Sequence, residues 1–186
     1  LVTTTGLVTM LAGAFIALFK DDLKAVLAYS TVSHLGLVTM LFGFGTPMAA
    51  VAGVFHILNH ATFKAALFMS AGIVDHAAGA RDIPRLGGLA RAMPITAALA
   101  SLAGASMAGV PLLNGFVSKE MMLQEALLAE WAGHGWLVGA VATLAAGLSV
   151  AYSLRFVIHV FFGRARSTLP GAAHDLIHHL VVDIVH

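Results

Sequence analysis

His56-Ile57-Leu58-Asn59-His60-Ala61-Thr62-Phe63-Lys64 sets three ionisable side chains four residues apart inside an otherwise apolar stretch. At 100° per residue, an α-helix places His56, His60 and Lys64 within an arc of about 80°, and at 1.5 Å rise the resulting polar stripe is about 12 Å long. Successive members then stand about 6 Å apart, too far for most direct hydrogen bonds and close to what one bridging water spans. That is how a proton wire would be built. A lone histidine facing a helix bundle commonly does no more than hydrogen-bond a neighbouring carbonyl. A lysine is different. At bilayer depth it costs roughly 2.5 to 3.5 kcal/mol on insertion scales, and burial disfavours an ammonium ion, so Lys64 is read as a proton carrier.

The surroundings are those of a membrane. Hydrophobic residues make up 59% and charged residues 10% of the 186, against about 25% charged in soluble domains, and the mean hydropathy is +0.91. Apolar segments recur along the chain, so the first is not a cleaved signal peptide. There are no cysteines, which excludes disulfides, thiolate metal sites and iron–sulfur ligation here. The net charge of +1 supplies no basic tract, and no nucleic-acid partner is expected. The chain opens on Leu1 in the middle of an apolar segment, and it is read as a piece of a longer protein.

Residues 1–19 hold no charge and carry Gly6, Ala12, Gly13, Ala14 and Ala17 among larger apolar residues, as a packed membrane helix does. Lys20-Asp21-Asp22-Leu23-Lys24 ends that span. From Ala25 to Phe63 there is no Asp, Glu, Lys or Arg, and Gly43-Phe44-Gly45-Thr46-Pro47 divides the run into spans two and three. His34, in span two, follows the hydroxyl cluster Tyr29-Ser30-Thr31-Val32-Ser33, whose groups must find partners on neighbouring helices or water. Span three carries the His56/His60/Lys64 stripe and ends near Asp75-His76. Residues 77–93, with Arg81, Asp82, Arg85 and Arg91 around Pro84 and Gly87-Gly88, read as a polar loop with at most one helical turn.

Residues 94–130 would measure about 55 Å as one helix, against a hydrocarbon core of roughly 30 Å. Pro111, with Gly109 and Gly115 around it, predicts a break there, just before Lys119. Freed carbonyls at the end of a first half-helix attract cations, and discontinuous helices are where transporters place ion sites. The alternative is a plain proline kink with Lys119 snorkelling to the interface. The last span runs from about Gly135 to Gly163 and carries Arg155; Arg164, Arg166 and a Pro170-Gly171 stop follow.

With Lys64, Lys119 and Arg155 set aside as intramembrane, the remaining basic residues are Lys20, Lys24, Arg81, Arg85, Arg91, Arg164 and Arg166. A single broken crossing by 94–130 puts all of them on one side, which the positive-inside rule makes the cytoplasm. The expectation is therefore a membrane domain over 1–163 with five crossings, Trp131 and Trp136 anchoring the outer interface. Residues 164–186 would form a cytoplasmic histidine-rich tail or the start of a connector. His174/His178 and Asp175/His179 have helical metal spacing, but without a third clear ligand the tail is read as amphipathic, with no metal site.

Several spaced motifs carry a family resemblance: Asp22-Leu23-Lys24 with Ala28 through Gly36, the run from His56 to Phe68, Leu86-Gly87-Gly88-Leu89, and Gly109-Val110-Pro111 through Ser118-Lys119-Glu120. Over residues 1 to about 163 they resemble the proton-translocating antiporter-like subunits of respiratory NADH:quinone oxidoreductase and of Mrp-type multisubunit Na⁺/H⁺ antiporters. Ala71 through His76, Arg81-Asp82-Ile83 and Ser106 through Phe116 look most like the large A subunit of the Mrp type. The resemblance implies an all-α, polytopic transmembrane helix bundle with one discontinuous helix, the second half of an antiporter-like inverted repeat. It implies an axis of buried charge in which Lys64 matches the lysine of the second half-channel, Lys119 the ionisable residue on the broken helix, and His60, His56 and His34 polar positions near it.

The family's upstream repeat, with its Glu and Lys pair, has no counterpart in this chain, and the tail departs from the further spans that the family carries. The function implied is monovalent cation/proton antiport, Na⁺/H⁺ exchange, in the inner (plasma) membrane of the cell, with other membrane subunits as partners and no cofactor. The alternative is a proton-pumping subunit of NADH:quinone oxidoreductase, where the same chemistry would serve a translocase. A third class is a redox membrane protein ligating haem through His34 and His56 on adjacent spans. A purely structural subunit would need Lys64 paired, and no Asp or Glu is expected at its depth.

Overall fold

The computed structural model describes residues 1–129 and 135–164. They form α1 (Val2–Phe19), α2 (Leu23–Phe44), α3 (Pro47–Ala78), a 3₁₀ turn (Ile83–Arg85), α4 (Pro94–Ala108), α5 (Asn114–Leu128), α6 (Gly135–Val157) and a π-helical turn (Ile158–Phe162). Among the described residues the nearest thing to a sheet is one antiparallel bridge between Asp22 and Asp82. The helix starts follow local chemistry. Asp22 accepts from Ala25 N at 2.8 Å to begin α2, and Thr46 accepts from Ala49 N at 3.2 Å, with Pro47 opening α3.

Four helices, Val2–Phe19, Leu23–Phe44, Pro47–Ala78 and Trp136–Phe162, are long and apolar enough to cross a membrane. Apolar side chains point outward from several of them: Val8, Phe15, Val54, Leu58, Met69, Leu144 and Leu154 are all exposed. The polar groups are inside instead. His34, His56, Asn59, His60, Lys64, Ser118 and Lys119 are buried, an inversion that suits a bundle solvated by lipid. On α3, His56, Asn59, His60 and Lys64 share the inward face with Ala49, Ala52, Phe63, Leu67 and Ala71, the repeat of three and four residues expected of one helix face.

One end of the bundle is tied together by the short connections. Leu23 N donates to Arg81 O at 3.0 Å, Ile83 N to Asp21 O at 2.8 Å, and Ala90 N to Phe161 O at 3.0 Å. Lys24 pairs with Asp75 at 2.7 Å and Arg81 with Asp22 at 2.5 Å. At the opposite end Thr46 Oγ1 donates to Glu125 at 3.3 Å, and Leu127 packs beside Gly139. The chain enters α4 at the first end, just after Ala90, and leaves α5 at the second. The two half-helices, at 15 residues each, measure about 22 Å apiece. Neither is long enough for a roughly 30 Å core alone.

Arg155 departs from the sequence expectation. Its guanidinium sits at the turn between α1 and α2, where it donates to Leu18 O and Lys20 O, both at 2.6 Å, and pairs with Asp21. It caps the carbonyl end of α1. Arg155 therefore belongs with Lys20, Lys24, Arg81, Arg85, Arg91 and Arg164 at the first end. Trp136 is exposed near the second end. Trp131, Arg166 and the histidine-rich stretch 174–186, including the His174/His178 and Asp175/His179 pairs, lie outside the described residues.

Candidate functional site

The break between α4 and α5 is made by three residues within four positions. Gly109 takes a left-handed φ of 88°, open to glycine without steric cost, and its N–H turns back to Ala105 O and Ser106 O. Pro111 stands four residues after Met107, where an α-helix would need an N–H for the Met107 carbonyl, and proline has none. Leu112 follows at φ 76°, which stops the helix from resuming until Asn114. The Met107 carbonyl is thereby left for side chains. Lys119 Nζ donates to Met107 O at 2.6 Å, to Ala108 O at 3.3 Å and to Ser149 Oγ at 2.9 Å. Ser149 also donates to Met107 O at 3.2 Å. A cation on the carbonyl end of a half-helix is the arrangement that the helix dipole favours. Glu120, next in sequence, is exposed and turned away from this site.

Close packing holds the two half-helices in place. A side chain on Gly115 would run directly into the Ser106 carbonyl. Gly115 N donates to Ser106 Oγ at 3.2 Å, and Ser106 bonds to Asn114 Oδ1. Asn114 Nδ2 reaches Asn59 Oδ1 at 3.3 Å, and Asn59 Nδ2 reaches Asn114 O at 3.4 Å. This carboxamide clasp fixes the first turn of α5 against the stripe face of α3.

Lys64, at the other end of the stripe, is solvated by α2. Its ammonium donates to Leu27 O at 3.0 Å and to Ser30 Oγ, so the hydroxyl cluster singled out in span two supplies its partner. Ser30 in turn donates to Leu27 O at 2.9 Å. No carboxylate bonds Lys64 or Lys119 among the described residues.

The three histidines fill the space between the lysines. His56 and His60 have ring centroids 5.9 Å apart, the separation the helical spacing implies. The direct link runs across helices instead: His34 Nδ1 and His56 Nε2 are 2.8 Å apart, with their rings stacked at 10°. His34 and His60 centroids are 5.1 Å apart, and Phe63 packs edge-on to both. His56 Nδ1 meets Ser118 Oγ at 3.0 Å, one residue before Lys119. Among the described residues His60 Nε2 is buried with no protein partner, and it can take a water between Lys64 and the His34/His56 pair. A cavity of about 30 Å³ lined by His34, Lys119, Ser149 and Tyr152 has room for about one or two waters.

The sequence-chosen residues Lys64, Lys119, His60, His56 and His34 are therefore all buried on the inside of the bundle, the three histidines packed together between the lysines. The haem reading meets a steric obstacle. Two axial histidines must face each other across an iron and its macrocycle, whereas His34 and His56 touch nitrogen to nitrogen. Sequence reasoning missed Ser118, Ser149 and Tyr152, whose hydroxyl lies 3.3 Å from His34 Nε2. A weak signal existed for two of them. Ser149 and Tyr152 stand three residues apart, and polar groups on one face of an apolar span mark an inward face.

Residues 1–148 match the transmembrane family described as NADH:quinone oxidoreductase/Mrp antiporter, TM. A probable K⁺/H⁺ antiporter A/B subunit of Rhizobium meliloti (strain 1021) is 57% identical over 176 residues, which cover 94% of this chain and 18% of that protein. The A1 subunit of a Na⁺/H⁺ antiporter of Staphylococcus aureus (strain JH9) is 38% identical over 195 residues, covering 94% of this chain and 24% of the relative. The solved Mrp complex from Dietzia sp. DQ12-45-1b contains a chain that superimposes with a TM-score of 0.79 at 42% identity, over 98% of this chain and 20% of that one. The chain thus spans about a fifth to a quarter of the length of these relatives. With most of its length matched, this multi-pass, all-α membrane chain belongs to the NADH:quinone oxidoreductase/Mrp antiporter transmembrane family.

Proposed function

We propose that this chain forms one proton-translocating half-channel of a monovalent cation/proton antiporter subunit. It would lie in the inner (plasma) membrane with five crossings, among other membrane subunits of a hetero-oligomeric complex. The observation that carries the reading is the buried file Lys64, His60, His34/His56, Ser118 and Lys119, which runs between two helices and a helix break. Each lysine and histidine in it binds a proton as a cation, and no carboxylate bonds either lysine among the described residues. A proton held at one lysine therefore raises the electrostatic cost of a proton at the other, and their occupancies alternate. Lys64 takes a proton while held by Leu27 O and Ser30. His60, through water, and then the His34/His56 pair pass a proton on, and Lys119 on the broken helix receives the next. Because Lys119 rests on the carbonyl end of α4, its charge state bears on how α4 and α5 meet, which would couple proton position to helix position and so to a counter-ion.

The names of the relatives support antiport over quinone-linked pumping, although the family covers both. The 57% identical relative is named for K⁺, so K⁺ stands beside the expected Na⁺ as a cation to test. His56→Ala in the whole protein is the direct test of the file. It should slow K⁺- or Na⁺-driven proton movement in membrane vesicles about 100-fold, the low end for one positioned proton-transfer group. An unchanged rate would remove the histidines from the path.

Orientation is tested separately. Single cysteines at Arg85 and Arg164 should both be shielded from an impermeant thiol reagent added outside intact cells and labelled in everted vesicles. Labelling of one from outside and not the other would mean that 94–128 crosses twice.

A further inference from the structure

The buried relay has a direction, and its direction can be worked out from the donors. The Gly115 carbonyl can only accept, and Ser118 Oγ lies 3.2 Å from it, so the single hydroxyl proton of Ser118 is committed there. Ser118 Oγ must then accept from His56 Nδ1, 3.0 Å away, which makes His56 Nε2 the acceptor in a neutral ring. His56 Nε2 meets His34 Nδ1 at 2.8 Å, so the proton of that bond sits on His34 Nδ1 and leaves His34 Nε2 unprotonated. The remaining contact is Tyr152 OH, 3.3 Å from His34 Nε2. A phenol can donate. Tyr152 is 1% exposed, Ser118 and His56 are 0% exposed, and the whole chain of bonds lies out of reach of bulk water, which would otherwise scramble it.

We infer that Tyr152 is a positioning residue that anchors the polarity of the His34–His56–Ser118 relay from the end opposite the Gly115 carbonyl, by donating to His34 Nε2 and so favouring the Nδ1–H tautomer of both imidazoles. Tyr152 also lines the small cavity shared with Lys119 and Ser149. The relay is therefore open at its Tyr152 end to water on the Lys119 side. The transport consequence rests on the half-channel proposed above; the tautomer assignment does not.

The test is Tyr152→Phe in the whole protein within its assembled complex, which keeps the ring that fills the core and removes only the hydroxyl. Nitrogen-15 histidine spectra, with the His34 signals identified by their loss in His34→Gln, should show His34 protonated at Nδ1 and bare at Nε2 in the wild type. In Tyr152→Phe both tautomers should appear, and exchange in vesicles should fall roughly fivefold to tenfold, the weight of one buried hydrogen bond. A wild-type His34 protonated at Nε2, or a tautomer balance unmoved in Tyr152→Phe, overturns the inference. Wild-type exchange in Tyr152→Phe, alongside abolished exchange in Lys64→Ala, overturns it as well. Wild-type exchange in both variants instead sinks the half-channel reading, and the tautomer spectra then decide the role of Tyr152 alone.

Discussion

Lys64→Ala and Lys119→Ala are each expected to abolish cation/proton exchange in the assembled antiporter while the protein still inserts. The two substitutions act differently on the structure. Removing Lys64 leaves Leu27 O with the donation from Ser30, so that carbonyl stays satisfied and the fold loses little. Removing Lys119 leaves Met107 O, already deprived of a backbone donor by Pro111, with Ser149 alone. That second change should cost about 1 to 3 kcal/mol, as for a buried polar group that loses a charged partner. The transport effect should be far larger than either stability effect, at least about 100-fold, because each lysine is a station that no neighbour can replace. Proton fluxes in everted vesicles, normalised to the amount of complex on a native gel, measure both. Substantial exchange in either variant, with the complex intact, would take that lysine out of the path.

Gly115→Ala is the largest expected structural effect. The new methyl group would occupy the place of the Ser106 carbonyl, and backbone cannot rotate away as a flexible side chain can. The first turn of α5 must then move off α4. It would break Gly115 N to Ser106 Oγ and the contacts of Asn114 with Asn59, and displace Ser118 from His56 and Lys119 from Met107 O. Overpacking of this kind costs about 1 to 3 kcal/mol. The solubilised complex should melt several degrees lower, and exchange should fall with it. An unshifted melting temperature and normal exchange would mean that α4 and α5 tolerate separation, and the clasp would have no positioning role.

Much of this site could be read from residue order because it is built from local rules. The stripe on α3 follows from four-residue spacing, and the break from Gly109 and Pro111, whose conformational demands act wherever they stand. The distribution of basic residues led to the single-crossing expectation for 94–130, which the cysteine labelling above tests. Arg155 was misplaced for a physical reason. Its position within an apolar run says nothing of where the turn between α1 and α2 will lie, and that turn supplies its carbonyl and carboxylate partners. The His34–His56 bond, the Ser118 contact and Tyr152 were not legible, since they join residues 22, 62 and 118 positions apart. Only the packing of α2, α3, α5 and α6 brings them together. The hydroxyls near Tyr29 pointed to partners on neighbouring helices, and Ser30 found Lys64, but the spacing alone did not say which partner it would be.

Lys64→Arg asks most directly whether the file moves protons or merely holds charge. Arginine keeps a positive charge at the position, but it does not give up its proton in a protein. It can still donate to Leu27 O and Ser30, so the bundle should assemble. Exchange by the assembled Lys64→Arg protein, measured as cation-dependent proton movement in everted vesicles under both K⁺ and Na⁺, should fall to the level of Lys64→Ala. Exchange at the wild-type rate in a normally assembled Lys64→Arg protein would make Lys64 a fixed charge and contradict the proton file.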